Sequence, residues 1–138
     1  INEPAMLALF EVSGGDCRKL ENILQSSAAI SDKITETVIY SIASQAQPKK
    51  IKEILQESIK GNFIDARKLL LDTMLKDGLS GLDMIKQIQA EIWKLDIENL
   101  KKLEITKLCG EIEFRLVEGS DEFIQLEALL AGIAVISK

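Results

Sequence analysis

Residues 110–136 read GEIEFRLVEGSDEFIQLEALLAGIAVI, and this stretch decides the fold. It predicts the end of one helix, a break at Gly119 and Ser120, and a second helix. Glycine suits the left-handed residue that follows a helix C-terminus. Ser120 is a suitable N-cap for the next helix, and the charges of Asp121 and Glu122 favour its first turn.

The second helix of this stretch is apolar on most of its circumference. The large apolar residues expected near one face are Phe123, Leu126, Leu129, Leu130, Ile133 and Ile136. The small or branched apolar residues that fill the remaining sides are Ala128, Ala131, Ala134 and Val135. A helix with this pattern is surrounded by protein. We therefore expect either the central helix of a core or a helix that faces a neighbouring subunit.

Outward from this stretch, the chain divides into further helical segments. Apolar residues recur at helical spacing between short breaks that contain Gly, Pro, Ser or Asp. The predicted helices cover approximately residues 2–12, 17–28, 33–45, 48–60, 63–76, 81–95, 98–117 and 121–137. The pair Asn62 with Asp65 resembles a capping box, the pair Ser80 with Asp83 is expected to cap the sixth helix, and Ser31 with Asp32 is expected to open the third helix. No segment alternates as a strand would, so the sequence predicts an all-α fold.

Composition narrows the classes of function. The 138 residues carry a net charge of −5 and 4% aromatic residues, so a basic footprint for nucleic acid over the whole chain is absent. There is no histidine, which removes the commonest general base and metal ligand. Two cysteines far apart in sequence are expected to be free thiols in a reducing, cytoplasmic setting. The apolar run 128–136 is too short to span a bilayer. Because the sequence begins at Ile1, we expect a fragment of a longer protein.

Three sets of residues are candidates for chemistry, and each has a simpler explanation. The segment 14–18, Gly-Gly-Asp-Cys-Arg, either presents Arg18 and a helix N-terminus to an anion or is an ordinary turn with a solvated Arg18. The lysines at 49, 50, 52, 94, 101 and 102 either serve solubility and helix ends or make weak DNA contacts. The third set comprises carboxylates that either hold a metal or act as acids, or form a solvated face: Glu111, Glu113, Glu118, Glu122 and Glu127. Without histidines we predict no metal site and no catalytic residue.

Three blocks of the sequence resemble a known family. Residues 14–30 (GGDCRKLENILQSSAAI) are similar to the lid of AAA+ clamp-loader subunits, where a Gly-Asp-x-Arg motif opens the sensor-two helix. Residues 48–92 resemble the collar domain of replication factor C small subunits in their archaeal form, and residues 110–131 resemble a signature near the C-terminus of that family. The segment Leu20-Glu21-Asn22 departs from the Ala-Ile-Asn that is usual there, whereas Arg18 keeps its place.

The resemblance implies a division of the chain and a role. Residues 1–44 would be the C-terminal part of the lid, and residues 46–138 a collar of about five helices that holds ATPase subunits in a ring. That ring would open a sliding clamp and load it onto primed DNA during replication. The spacing GxxxxGK[ST] occurs nowhere in the chain, so ATP and Mg²⁺ are expected only in a full-length subunit. There Arg18 would reach the ATP phosphates. The implied partners are other clamp-loader subunits, including copies of the same subunit and a large subunit. The clamp and primer-template DNA would bind through the ATPase part. No membrane is implied.

An apolar last helix calls for a partner surface, and we expect Phe114, Arg115 and Gln125 to lie near it. Two alternatives of other classes remain at this point. One is an unrelated helical adaptor that binds a partner helix through an apolar groove. The other is a small-molecule enzyme built in a helical bundle. Self-association would distinguish the clamp-loader interpretation from both.

Overall fold

The computed structural model of the protein describes all 138 residues and contains eight α-helices and no strand. The helices are α1 (Glu3–Ser13), α2 (Cys17–Ile30), α3 (Glu36–Ile42), α4 (Pro48–Ile59), α5 (Phe63–Asp77), α6 (Gly81–Ile92), α7 (Asn99–Val117) and α8 (Glu122–Ile136). The all-α prediction is confirmed. The chain forms two compact units, Ile1–Gln47 and Pro48–Lys138.

The first unit packs α1, α2 and α3 against one another. Its small core contains Leu9, Val12, Ile23 and Ile39. Asn2 caps α1 through its side chain, which accepts a hydrogen bond from the amide of Ala5 at 3.0 Å. The start predicted for the third helix was wrong. The Ser31 hydroxyl is held in a local turn by the Lys33 backbone, and α3 begins only after Thr35, whose Oγ1 accepts from Val38 N.

The second unit is built around α8, which packs against α4, α5, α6 and α7. The helix meets these neighbours through four fully buried side chains, Leu126, Leu129, Leu130 and Ile133. This confirms the core face expected from the sequence, except at its two ends. Phe123 lies at the edge and is exposed, and Ile136 is half-buried. One flank of α8 therefore forms the core while the opposite flank remains uncovered.

Helix ends in the second unit show which capping predictions hold. The capping box at Ser80 and Asp83 is present, with Asp83 N at 3.1 Å from Ser80 Oγ. The box at Asn62 was wrong, because the Asn62 side chain donates to Glu57 Oε2 at 2.8 Å instead of capping α5. Gly119 has the expected left-handed backbone, with φ of +95°. The N-cap of α8 is Asp121 rather than Ser120.

Candidate interaction surface

Helix α7 has apolar residues on two opposite faces. The inward face is formed by Ile105, Cys109, Ile112 and Leu116, all of which are buried. The outward face, which we call the outer α7 stripe, has four large apolar residues with one lysine and one glycine between them, and all six are exposed: Leu100, Leu103, Lys107, Gly110, Phe114 and Val117. These positions recur at the three- and four-residue spacing that places side chains on one side of a helix. Phe114 alone is 64% exposed. Such a stripe costs free energy in water unless another molecule covers it.

Helix α8 has a similar outward face. We call it the outer α8 stripe; it consists of Ile124, Ala128, Ala131 and Val135, which are all exposed. Ile124 is 66% and Val135 is 69% exposed. No charged residue interrupts this stripe. An uncharged apolar flank on the central helix of a unit is typical of the buried part of an interface.

Close packing of α7 against α8 sets the shape of the surface between the stripes. A Cβ atom at Gly132 would overlap Cδ2 of Leu108, so glycine allows the two helices to approach at this point. A shallow groove of about 450 Å³ follows the contact. Its lining combines apolar residues of both helices with charged residues of α7: Glu104, Lys107, Leu108, Glu111, Ala131, Gly132, Val135 and Ile136.

The three interface residues expected from the sequence lie on these two helices but not on one face. Phe114 is in the outer α7 stripe. Arg115 is exposed and, one turn after Glu111, lies on the groove side of α7. Gln125 is half-buried on α8, and its Oε1 is buried without a hydrogen-bond partner. A buried acceptor that lacks a donor is uncommon in native proteins.

Two of the five candidate carboxylates, Glu122 and Glu127, have structural contacts, and the five do not converge on one site. Glu122 Oε2 accepts a hydrogen bond from the backbone N–H of Gly81 at 2.7 Å, and thus joins the start of α8 to the start of α6. Glu127 pairs with Arg67 of α5 at 2.7 Å. No group of three or more His, Cys, Asp or Glu side chains is arranged to hold a metal ion. The contact between Glu122 and Gly81 spans 41 positions in sequence, and no local pattern signals it.

Basic residues that were candidates for DNA contact are largely engaged within the chain. Lys50 pairs with Asp77 at 3.2 Å. Lys101 donates to the carbonyl of Ser137, and Lys102 donates to the carbonyl of Trp93. The contacts of Lys101 and Lys102 satisfy carbonyl groups near helix ends, which is a common role of lysine. They favour the structural explanation of these lysines over nucleic-acid binding.

Arg18 lies in the first turn of α2 in the first unit. Asp16 caps that helix, and its Oδ1 accepts from the amides of Arg18 at 2.9 Å and Lys19 at 3.2 Å. The Arg18 side chain is exposed and has no ion-pair partner in the chain. Its guanidinium is therefore accessible to an anion.

Both cysteines are free thiols. Cys17 is exposed at the start of α2, whereas Cys109 is buried on the inward face of α7. Burial raises the pKa of the Cys109 thiol to about 11. Cys109 is therefore an unreactive core residue at neutral pH.

The amino-acid sequence has counterparts among known proteins. A family model described as "Replication factor C C-terminal domain" matches residues 46–132. Because this match covers more than half of the chain, the chain belongs to the replication factor C family, and the resemblance inferred from its sequence is confirmed. No helix combines the length and apolar character needed to cross a bilayer.

More particularly, the chain is similar to archaeal replication factor C small subunits. It is 44% identical to that of Pyrococcus furiosus over 138 residues, which is 100% of this chain and 16% of that protein. It is 44% identical to that of Staphylothermus marinus over 140 residues, or 100% of this chain and 42% of that protein. It is also 44% identical to that of Methanococcus maripaludis strain S2 over 129 residues, which is 94% of this chain and 41% of that protein. The chain spans less than half of the length of each of these relatives.

Proposed function

We propose that this chain is the subunit-assembly region of a sliding-clamp loader, with residues 46–138 as the collar that holds ATPase subunits in a ring. Family membership supports a clamp-loader role. The observation that carries the assembly role is the pair of outer stripes on α7 and α8. Each is an exposed and largely apolar helix face, and the two stripes lie on the last two helices of the second unit.

The free energy available from these stripes is large enough for assembly. Burying an exposed Phe or Val side chain contributes roughly 1.5–3 kcal/mol, at about 25 cal/mol per Å² of apolar surface. Several such residues in one stripe, surrounded by polar side chains, resemble the core and rim of a protein interface. In a complete assembly, Phe114 would lie in the interface core, and Arg115 and Gln125 would lie at its margin.

For residues 1–44 we propose the end of an AAA+ lid. In a full-length subunit an ATPase module would bind ATP and Mg²⁺, and Arg18 would contact the ATP phosphates. Its exposure and its position after the Asp16 cap support this role, because a guanidinium at a helix start suits a phosphate group. Nucleotide binding by the full-length subunit should weaken in an Arg18→Ala variant and be partly retained in Arg18→Lys.

The partners in this proposal are other clamp-loader subunits, among them copies of the same chain and a large subunit. The sliding clamp and primer-template DNA would bind through the ATPase part. Several basic groups of the second unit, among them Lys50, Lys101 and Lys102, are engaged within the chain, which is consistent with a collar that contacts protein rather than DNA.

Concentration-dependent association of the 138-residue chain tests the assembly role. Sedimentation velocity should show species larger than a monomer at micromolar concentration. A Phe114→Asp variant should shift the equilibrium toward the monomer by roughly tenfold or more. A chain that remains monomeric at high micromolar concentration would contradict the proposal.

An alternative function is supported by the groove between α7 and α8. A groove lined by apolar residues from two helices could accept an amphipathic helix of an unrelated partner. The adaptor hypothesis predicts a monomeric chain with an empty groove, so the same sedimentation experiment separates the two functions.

A further inference from the structure

Gly110 lies in the middle of α7, and nothing within the chain explains a glycine at that position. The backbone φ angle of Gly110 is not positive, so the turn geometry that usually requires glycine is absent here. A Cβ atom built there would meet no atom within 4 Å. Glycine inside a helix costs roughly 1 kcal/mol relative to alanine. Gly132 differs, because its missing side chain makes room for Leu108. The open space at Gly110 therefore faces outward.

That space is part of a cavity between α6 and α7 of about 360 Å³, which we call the Gly110 notch. Ile85 and Cys109 form its apolar base together with Gly110. Lys86 and Glu113 bring opposite charges to its lining. A notch of this kind fits a bulky aliphatic side chain that has charged neighbours of its own.

The second unit carries such a side chain at another place. Leu75 on α5 is 75% exposed, more than any other large apolar residue of the chain. Asp72, one turn earlier, is exposed beside it. Helix α5 packs mainly on α4 and α8, whereas the notch belongs to α6 and α7. The projection and the notch are thus separate parts of the surface.

The charges around the two features are unpaired and complementary. The four ion pairs of the chain are Lys50–Asp77, Lys60–Glu57, Arg67–Glu127 and Lys94–Glu91. None of them uses Asp72 beside Leu75 or Lys86 in the notch. The acid beside Leu75 therefore matches a base in the notch.

We propose that Leu75 of one copy of this chain inserts into the Gly110 notch of the next copy, with Asp72 facing Lys86. The inference rests on the proposed assembly function and adds which surfaces meet. Because the two surfaces differ, the contact is head-to-tail, and each copy can use both of them at once. Repetition of such a contact gives a ring when the rotation closes.

Two variants remove one surface each without disturbing the core. Gly110→Leu fills the notch with a residue of good helix propensity, and Leu75→Ser removes an exposed side chain. Each variant alone should associate roughly tenfold or more weakly than the unmodified chain in sedimentation equilibrium. Ile30→Ser, at an equally exposed apolar position in the first unit, is the matched control and should associate normally.

Mixing the two variants gives the decisive result. A Gly110→Leu chain retains Leu75, and a Leu75→Ser chain retains the notch, so an equimolar mixture has one intact contact. The mixture should form heterodimers and no larger species, although each variant alone is mainly monomeric. A contact that pairs identical faces would give no such recovery, and that result would overturn the proposal.

Charge reversal provides an independent check. Asp72→Lys and Lys86→Asp should each weaken association, and the two changes in one chain should restore it. If the unmodified chain associates while Gly110→Leu and Leu75→Ser associate equally well, the notch is not used and only this inference fails. If the unmodified chain is monomeric, the proposed assembly function fails with it.

Discussion

The hydrogen bond between Glu122 and Gly81 allows a stability prediction that can be developed from the geometry. Gly81 is buried at the first position of α6, and its N–H is one of the four that a helix start leaves without an internal partner. Ser80 and Asp83 satisfy other groups of this helix start, and Glu122 Oε2 accepts from Gly81 N at 2.7 Å. We predict that Glu122→Ala destabilises the second unit by about 1–3 kcal/mol, the usual cost of a buried donor without an acceptor.

Thermal unfolding followed by circular dichroism measures this effect. For a unit of this size, a loss of about 1 kcal/mol lowers Tm by about 4–8 °C. Glu122→Gln keeps an acceptor oxygen and should cost less than Glu122→Ala. Glu118→Ala is the matched control, because Glu118 is exposed and has no side-chain hydrogen bond, and it should change the free energy of unfolding by less than about 0.5 kcal/mol. Equal Tm values for Glu122→Ala and Glu118→Ala would refute the reasoning.

Three further predictions follow from single residues. Gly132→Ala should fail to give the roughly 1 kcal/mol of stabilisation that replacing a helical glycine by alanine usually brings, because the new methyl group overlaps Cδ2 of Leu108. Denaturant titrations measure this free energy of unfolding, and a Gly132→Ala chain that is more stable by about 1 kcal/mol would contradict the close packing. At pH 8 an aromatic disulfide reagent should label Cys17 alone, since burial holds the Cys109 pKa at about 11. Because the unfolded chain releases the Cys109 proton near its ordinary pKa of 9.0, the free energy of unfolding should fall as the pH rises from 9 toward 11. Rapid labelling of two thiols in the folded protein would contradict both the labelling prediction and this pH dependence. Tyr40 is the one tyrosine, and its pKa is raised mainly by burial and then by its 2.7 Å hydrogen bond to Glu11. Its ultraviolet titration in the folded chain should therefore begin only above the ordinary pKa of 10.0. A midpoint at that ordinary value would show that Tyr40 is solvated.

Helices and most of their ends could be predicted from local sequence because their causes are local. Asp16 and Ser80 cap helices through side-chain bonds to amides two or three residues away, and Gly119 supplies a left-handed residue where one helix stops. Cap choice among adjacent polar residues was harder. Ser120 and Asp121 are both good N-caps, and one residue of helix register decided between them.

Contacts between distant segments could not be predicted in this way. Glu122 is an ordinary first-turn acid by sequence, yet its carboxylate caps a different helix. Phe114 and Leu116 are both apolar residues of α7, and only the packing of α6 and α8 determines that Leu116 is buried and Phe114 exposed. A helix with apolar residues on two faces has a weak periodic signal, and the partner that we propose for the second face is not part of the same chain.

The outer stripes make self-association the central claim, and sedimentation equilibrium of the 138-residue chain over a wide concentration range tests it most directly. The account predicts an average mass that rises above 15.3 kDa with concentration, and a Phe114→Asp chain that stays near that mass over the same range. An unmodified chain that keeps the monomer mass up to high micromolar concentration would contradict it.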